Sequence, residues 1–190
     1  MKKLILLLII IGLQSFCFAQ NDSNECPAPT KEDFIGLCVS IYEKQMANIP
    51  KPGVSYGYQE TLWEMSCAKP GFDTIETAKV KIQKMWNKHR ESMRCYGYPG
   101  FTASEDNIAK FSAESGFTTF LTEAVKRYNL DMNFIDPGDG KTVLDFIKEQ
   151  ETYVRSTPRI DTAKADEYQR IYQLLKSQGA KHRRELNQPQ

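Results

Sequence analysis

The chain has 190 residues, with 25 Lys and Arg against 24 Asp and Glu. A formal charge of +1 at pH 7 gives no electrostatic footprint for nucleic acid. The length suits one compact body with a real core, not a string of domains.

Met1-Lys2-Lys3 is a short basic start, Leu4 to Leu13 is an apolar run broken by Gly12, and SFCFAQ follows. Basic, apolar and small-residue regions in that order predict a secretory signal peptide over residues 1–19, cleaved after Ala19, and a periplasmic product. The apolar run is short for a membrane crossing and no second one follows, so no span is expected after cleavage. A retained anchor and a lipoprotein are the other readings. Cys17 lies at the right depth for the latter, but bulky Phe16 precedes it.

Cleavage removes Lys2 and Lys3, leaving 23 basic residues against 24 acidic ones and a formal charge of about −1. It also removes Cys17 and leaves Cys26, Cys38, Cys67 and Cys95. An even cysteine count in an exported chain predicts disulfides, and four cysteines allow three pairings. Free buried cysteines are the alternative.

Thr30 and Asp33 form a capping-box pattern after the extended CPAPT lead-in. Phe34, Cys38, Ile41, Gln45 and Ile49 then recur at helical spacing, widened by Ile35, Tyr42 and Met46. IPKPG ends this first helix, because the residue before proline avoids helical dihedrals. A second helix is predicted over about Tyr56 to Cys67, with Tyr58, Leu62 and Met65 on one face and Trp63 beside it. If the first two helices form an antiparallel hairpin, Cys38 and Cys67 come level, which makes them the first pair to expect.

Asp73 or Thr74 caps a third helix, with Ile75, Ala78, Ile82, Met85, Trp86, His89 and Met93 on its buried stripe. The turn RCYGYPGF ends it. Beyond Asn107 the predicted helices are DNIAKFSAESG, FTTFLTEAVKRY, KTVLDFIKEQETYV and EYQRIYQLLKSQGAK, with RSTPRIDTAKAD as a polar spacer between the last two. No run shows strict period-two alternation over strand length, so the fold class is all-α. The expected divisions are an N-terminal three-helix region over 20–101, helical repeats over 102–181 and a flexible tail over 182–190.

The turn NFIDPGDGKTVLDFI carries the most specific pattern. Gly140 can take the positive φ of a tight turn. Thr142 can cap the next helix, with Asp145 at the capping-box position. Gly179 is placed to end the last helix. Asp136, Asp139, Gly140, Thr142 and Leu144, followed later by Leu174, Leu175, Gly179 and Ala180, resemble an ankyrin repeat. Asn107 to Asp136 fits the same plan more loosely, giving about two degenerate units over Asn107–Lys181. Val143 stands where the family has proline and Asp145 where it has histidine, and the link between the two helices is about a dozen residues too long. The resemblance implies a module that holds a partner protein on its concave side. A capped helical bundle with a Gly-rich turn is the plainer reading.

Little in the sequence points to catalysis. His89 falls inside an apolar helical stripe, which predicts a packed, hydrogen-bonded histidine, and His182 sits in the basic KHRREL end. CxxC, HExxH, GxSxG and P-loop patterns are all missing from the sequence. DPGDG lacks the ligand ladder and closing Glu of a calcium loop. No catalytic residue, metal site or cofactor is therefore expected. The aromatic turn holding Tyr96, Tyr98 and Phe101 suits a binding anchor, or else packing between the helical halves.

An export signal, disulfides and a compact helical body are together similar to periplasmic immunity proteins of the type VI secretion kind. That resemblance implies steric occlusion of a cognate toxin or effector. Tyr96, Tyr98, Phe101, Asp136, Asp139 and Lys141 are the expected contacts. A small periplasmic hydrolase and a structural envelope protein are the alternatives.

Overall fold

The computed structural model describes residues 26–46, 57–95, 107–114, 120–121, 125–158 and 161–186. These hold α1 (Lys31–Met46), α2 (Tyr58–Met65), α3 (Ile75–His89), α4 (Ile108–Glu114), α5 (Val125–Tyr128), α6 (Val143–Ser156), α7 (Thr162–Ser177) and α8 (Arg183–Leu186). Among the described residues there is no strand, only an isolated antiparallel bridge between Arg94 and Asn107. The fold is all-α.

The helix ends follow local chemistry. At α1 the Asp33 carboxylate accepts from the Thr30 N–H at 2.7 Å, and the Asp33 N–H donates to Thr30 Oγ1 at 3.2 Å. Thr74, not Asp73, caps α3, accepting from the Thr77 N–H. Thr142 and Asp145 close a full capping box on α6. Ala180 N–H donates to Leu175 O at 3.0 Å and Gly179 N–H to Lys176 O at 3.1 Å. With Gly179 at φ +88°, these two bonds make a Schellman end to α7.

The expected polar spacer is mostly helix. Asp161 caps α7 by accepting from Lys164 N–H, so the link to α6 is only residues 157–161. The extra length relative to a compact repeat lies in the helices themselves, 14 and 16 residues long.

Neighbouring elements pack in a chain: α1 on α2, α2 on α3, α3 on α5, α4 on α6 and α6 on α7. Their inner faces merge into one core. It runs from Leu37 and Leu62 through Ile82 and Trp86 to Phe120, Leu144, Ile147 and Leu175. Trp86 joins the halves. Its ring centre lies 6.3 Å from those of both Phe120 and Phe134, and its indole N–H donates to Asp131 O at 2.8 Å. Full burial of side chains this size contributes about 1.5–3 kcal/mol each. One core therefore runs beneath helices from both ends of the chain.

Three expectations need correction. Ile75, placed on the buried stripe of α3, is 55% exposed at the helix's first residue, and the buried face begins at Ala78. Residues 182–186 are no loose tail: His182 and α8 dock on α6 and α7. Cys38 does not pair with Cys67. The bridges are Cys26–Cys67 and Cys38–Cys95, each with Cα atoms 5.7 Å apart. The reason is where α2 stops. It ends at Met65, and Cys67 turns away at φ 53° toward the N-terminal lead-in. Cys38 faces inward from α1, 2% exposed, and meets Cys95 just past the end of α3.

Candidate functional site

The turn Asp136–Gly140 is built from short-range bonds. Gly140 N–H donates to Asp136 O at 2.8 Å, Asp136 N–H donates to Lys141 O at 3.0 Å, and Gly140 holds φ +71°. Its carboxylates then anchor it to the body. Asp136 Oδ2 accepts from Lys110 Nζ at 2.8 Å, and its Oδ1 accepts from Arg94 and from the Gly138 N–H. Asp139 also accepts from Lys110.

Lys110 is 2% exposed and the Asp136 side chain 3%, so this is a buried ionic cluster. Burial pushes the Asp136 carboxyl up. The hydrogen bonds from Lys110, Gly138 and Arg94 outweigh it and hold the group below its ordinary value. Asp136 is thus a buried anchor and presents nothing to a partner. Asp139 and Lys141 remain partly exposed, and Lys141 pairs with Glu149 of α6.

Tyr96, Tyr98 and Phe101 lie outside the described residues. What flanks them is held firmly. Cys95 is bridged to Cys38, Arg94 pairs with Asn107, and Asn107 Nδ2 donates to Arg90 O at 2.6 Å.

A groove of about 680 Å³ opens beside the turn. The outer stripe of α6 supplies Asp145, Lys148, Glu149, Thr152, Tyr153 and Ser156, at spacings of three and four residues. Tyr172 from α7 and His182 and Arg184 from the C-terminal turn complete it. Tyr153 is 65% exposed on a two-helix scaffold. The groove and the turn adjoin, because Arg183 donates to Gly140 O at 2.9 Å and Lys141 reaches Glu149.

Sequence reading missed Tyr153, Tyr172 and Arg184. The available signal was the polar stripe of α6 interrupted by one tyrosine.

Most charge in the groove is already engaged. The Asp145 carboxylate accepts from the Thr142 N–H and hydroxyl, from Arg183 N–H at 3.0 Å and from His182 Nδ1 at 2.8 Å. Burial raises this carboxyl, and the bonds from Arg183, His182 and Thr142 together bring it below its ordinary value. Lys148 bonds Glu151 at 2.9 Å and lies 5.9 Å from the centre of the Tyr172 ring. His182 Nε2 and the Tyr172 hydroxyl are 2.9 Å apart.

His89 is half-buried, and its imidazole makes no hydrogen bond among the described residues. Burial, then nearby Lys88, pushes its pKa down. Among the described residues no group of three or more His, Cys, Asp or Glu is arranged to hold a metal ion, and no helix is long and apolar enough to cross a membrane.

Comparison with protein-family models, with curated proteins and with solved structures finds no match to this chain.

Proposed function

We propose that this protein is an exported protein-binding module that neutralises a toxin or effector by covering it, as an immunity protein does. The observation that carries this reading is the open groove with Tyr153 held 65% exposed on the α6–α7 hairpin. Tyrosine and arginine on a rigid support are the usual anchors of protein interfaces, and holding them in place lowers the ordering cost of binding. Two disulfides suit an oxidising compartment, and the basic-apolar start suits export to the periplasm. In this reading α4, α6 and α7 act as a short repeat-like stack. The contact set shifts from Asp136 to Tyr153, Tyr172 and Arg184, with Asp139, Lys141 and the aromatic residues Tyr96, Tyr98 and Phe101 beside it.

The test is capture of the product of the neighbouring gene by oxidised protein beginning at Gln20. Tight co-elution with suppression of that product's toxicity is the expected result. Tyr153→Ala is expected to weaken the complex tenfold or more while leaving the melting temperature unchanged. A folded sample that neither binds nor protects sinks the proposal.

One observation favours an enzyme instead. Asp145, His182 and Tyr172 form a carboxylate–imidazole–phenol chain with links of 2.8 and 2.9 Å, facing the same groove. Such a chain can move a proton. The same bonds also hold the C-terminal turn in place. Under the enzyme reading, Tyr172→Phe abolishes an activity while α8 stays docked.

A further inference from the structure

The groove's charge balance points to what it receives. Its two acidic side chains are engaged by the protein itself, Asp145 by Thr142, His182 and Arg183, and Glu149 by Lys141. Of its Lys and Arg side chains, Lys148 is matched by Glu151 and Arg184, among the described residues, is not. Arg184 lines the groove and makes no ion pair or hydrogen bond among the described residues. Lys181, exposed just before the groove's C-terminal wall, is likewise unpaired among them. The Arg183 guanidinium meets a carbonyl, Gly140 O, so no carboxylate neutralises it. The rim is therefore basic, and Tyr153 and Tyr172 line the groove beside it.

Resting on the binding-module reading, we infer that this groove docks an acidic segment of the partner protein that carries carboxylates beside an apolar or aromatic side chain. Arg184 offers a planar fork that matches a carboxylate with two parallel hydrogen bonds. Tyr153, the exposed ring of the groove, supplies the face on which the neighbouring apolar side chain rests. Lys181 and Arg183 attract the approaching segment through an uncancelled field that salt screens. A basic segment gains nothing there, because the groove's own carboxylates are already satisfied.

The test uses the whole oxidised protein and a labelled synthetic peptide alternating Asp or Glu with Leu or Phe. A matched peptide with Asn and Gln in place of the acids is the comparison. Fluorescence anisotropy is expected to show roughly micromolar binding of the acidic peptide. The amide peptide is expected to bind about tenfold more weakly or worse, a change of one decade in Kd. Arg184→Glu and Tyr153→Ala should each weaken the acidic peptide by about tenfold. Both positions are exposed, so their melts should match the parent.

Equal affinity for the two peptides overturns the inference. So does acidic-peptide binding that neither variant changes, or no acidic-peptide binding at low salt. Binding to anionic lipid vesicles without binding to the peptide also overturns it. If the captured toxin holds Arg184→Glu as tightly as the parent, the groove is wrong and the binding-module reading stands. If the peptide binds as expected but no toxin partner is captured, the toxin reading fails alone.

Discussion

Replacing Asp136 with Asn tests whether the 136–140 turn is an anchor. Asn keeps the size and one acceptor oxygen but cannot neutralise Lys110, which is 2% exposed, or Arg94, which is 16% exposed. Removing one partner of a buried ion pair typically costs about 3–5 kcal/mol, and here it leaves the cluster one negative charge short, with Asp139 still paired to Lys110. For a chain this size each kcal/mol moves the midpoint by about 2–4 °C, so a fall of about 6–20 °C is expected.

Thermal and urea unfolding of the oxidised protein, followed by circular dichroism across a pH series, reads the effect. The sign follows from the lowered folded pKa. The contribution of Asp136 is fully present above its unfolded value, near 3.8, and is lost as pH falls through the lower folded value. The gap between parent and variant should therefore close in that acidic window. Lys110→Met added to Asp136→Asn should recover part of the loss, since it removes the excess positive charge left buried in the cluster. A loss below about 1 kcal/mol at neutral pH, or a gap that ignores pH, would refute the anchoring role.

Non-reducing digestion and mass spectrometry should find Cys26 joined to Cys67 and Cys38 joined to Cys95, with no Cys38–Cys67 peptide. The bridges close 41 and 57 residues of sequence, so loss of either one should cost about 4 kcal/mol in a chain-entropy account. Because the two loops share residues 38–67, each bridge constrains the unfolded chain less when the other is present, so removing both should cost slightly more than the sum of the two single losses, as denaturant titration of the two single mutants and the double mutant would show. Gly179→Ala should cost about 1 kcal/mol through its positive φ alone, since nothing lies within 4 Å of the added methyl. Gly140→Ala should cost slightly more and should also speed amide exchange over Arg183–Leu186, because its methyl would meet Arg183 Nη1 at 3.0 Å.

The readable part of this fold was local. Thr30 with Asp33 and Thr142 with Asp145 are three residues apart, and their mutual hydrogen bonds need nothing beyond one helical turn. Gly140 and Gly179 announced themselves in the same way, because only a residue without Cβ takes those positive φ values at little cost. The absence of period-two patterning and the helical spacing of Ile82 and Trp86 carried the all-α class. Asp161 follows the same local logic, since an aspartate before Thr162 caps α7 through the Lys164 N–H, although the surrounding residues are polar enough to suggest a spacer.

Tertiary structure alone decided the rest. Lys110 and Asp136 are 26 residues apart, and Asp145 and His182 are 37 apart. No sequence pattern says that a lysine on a short helix will be buried against an aspartate in a distant turn. The disulfide partners depend on where α2 stops and which way Cys67 then turns, a difference of two residues that redirects the sulfur. The groove exists only because the outer stripe of α6 meets Tyr172 and a docked C-terminal turn. Local hydrogen-bond chemistry settles helix ends in sequence order. Burial, pairing and the shape of a surface are set by which distant faces the shared core around Trp86 draws together.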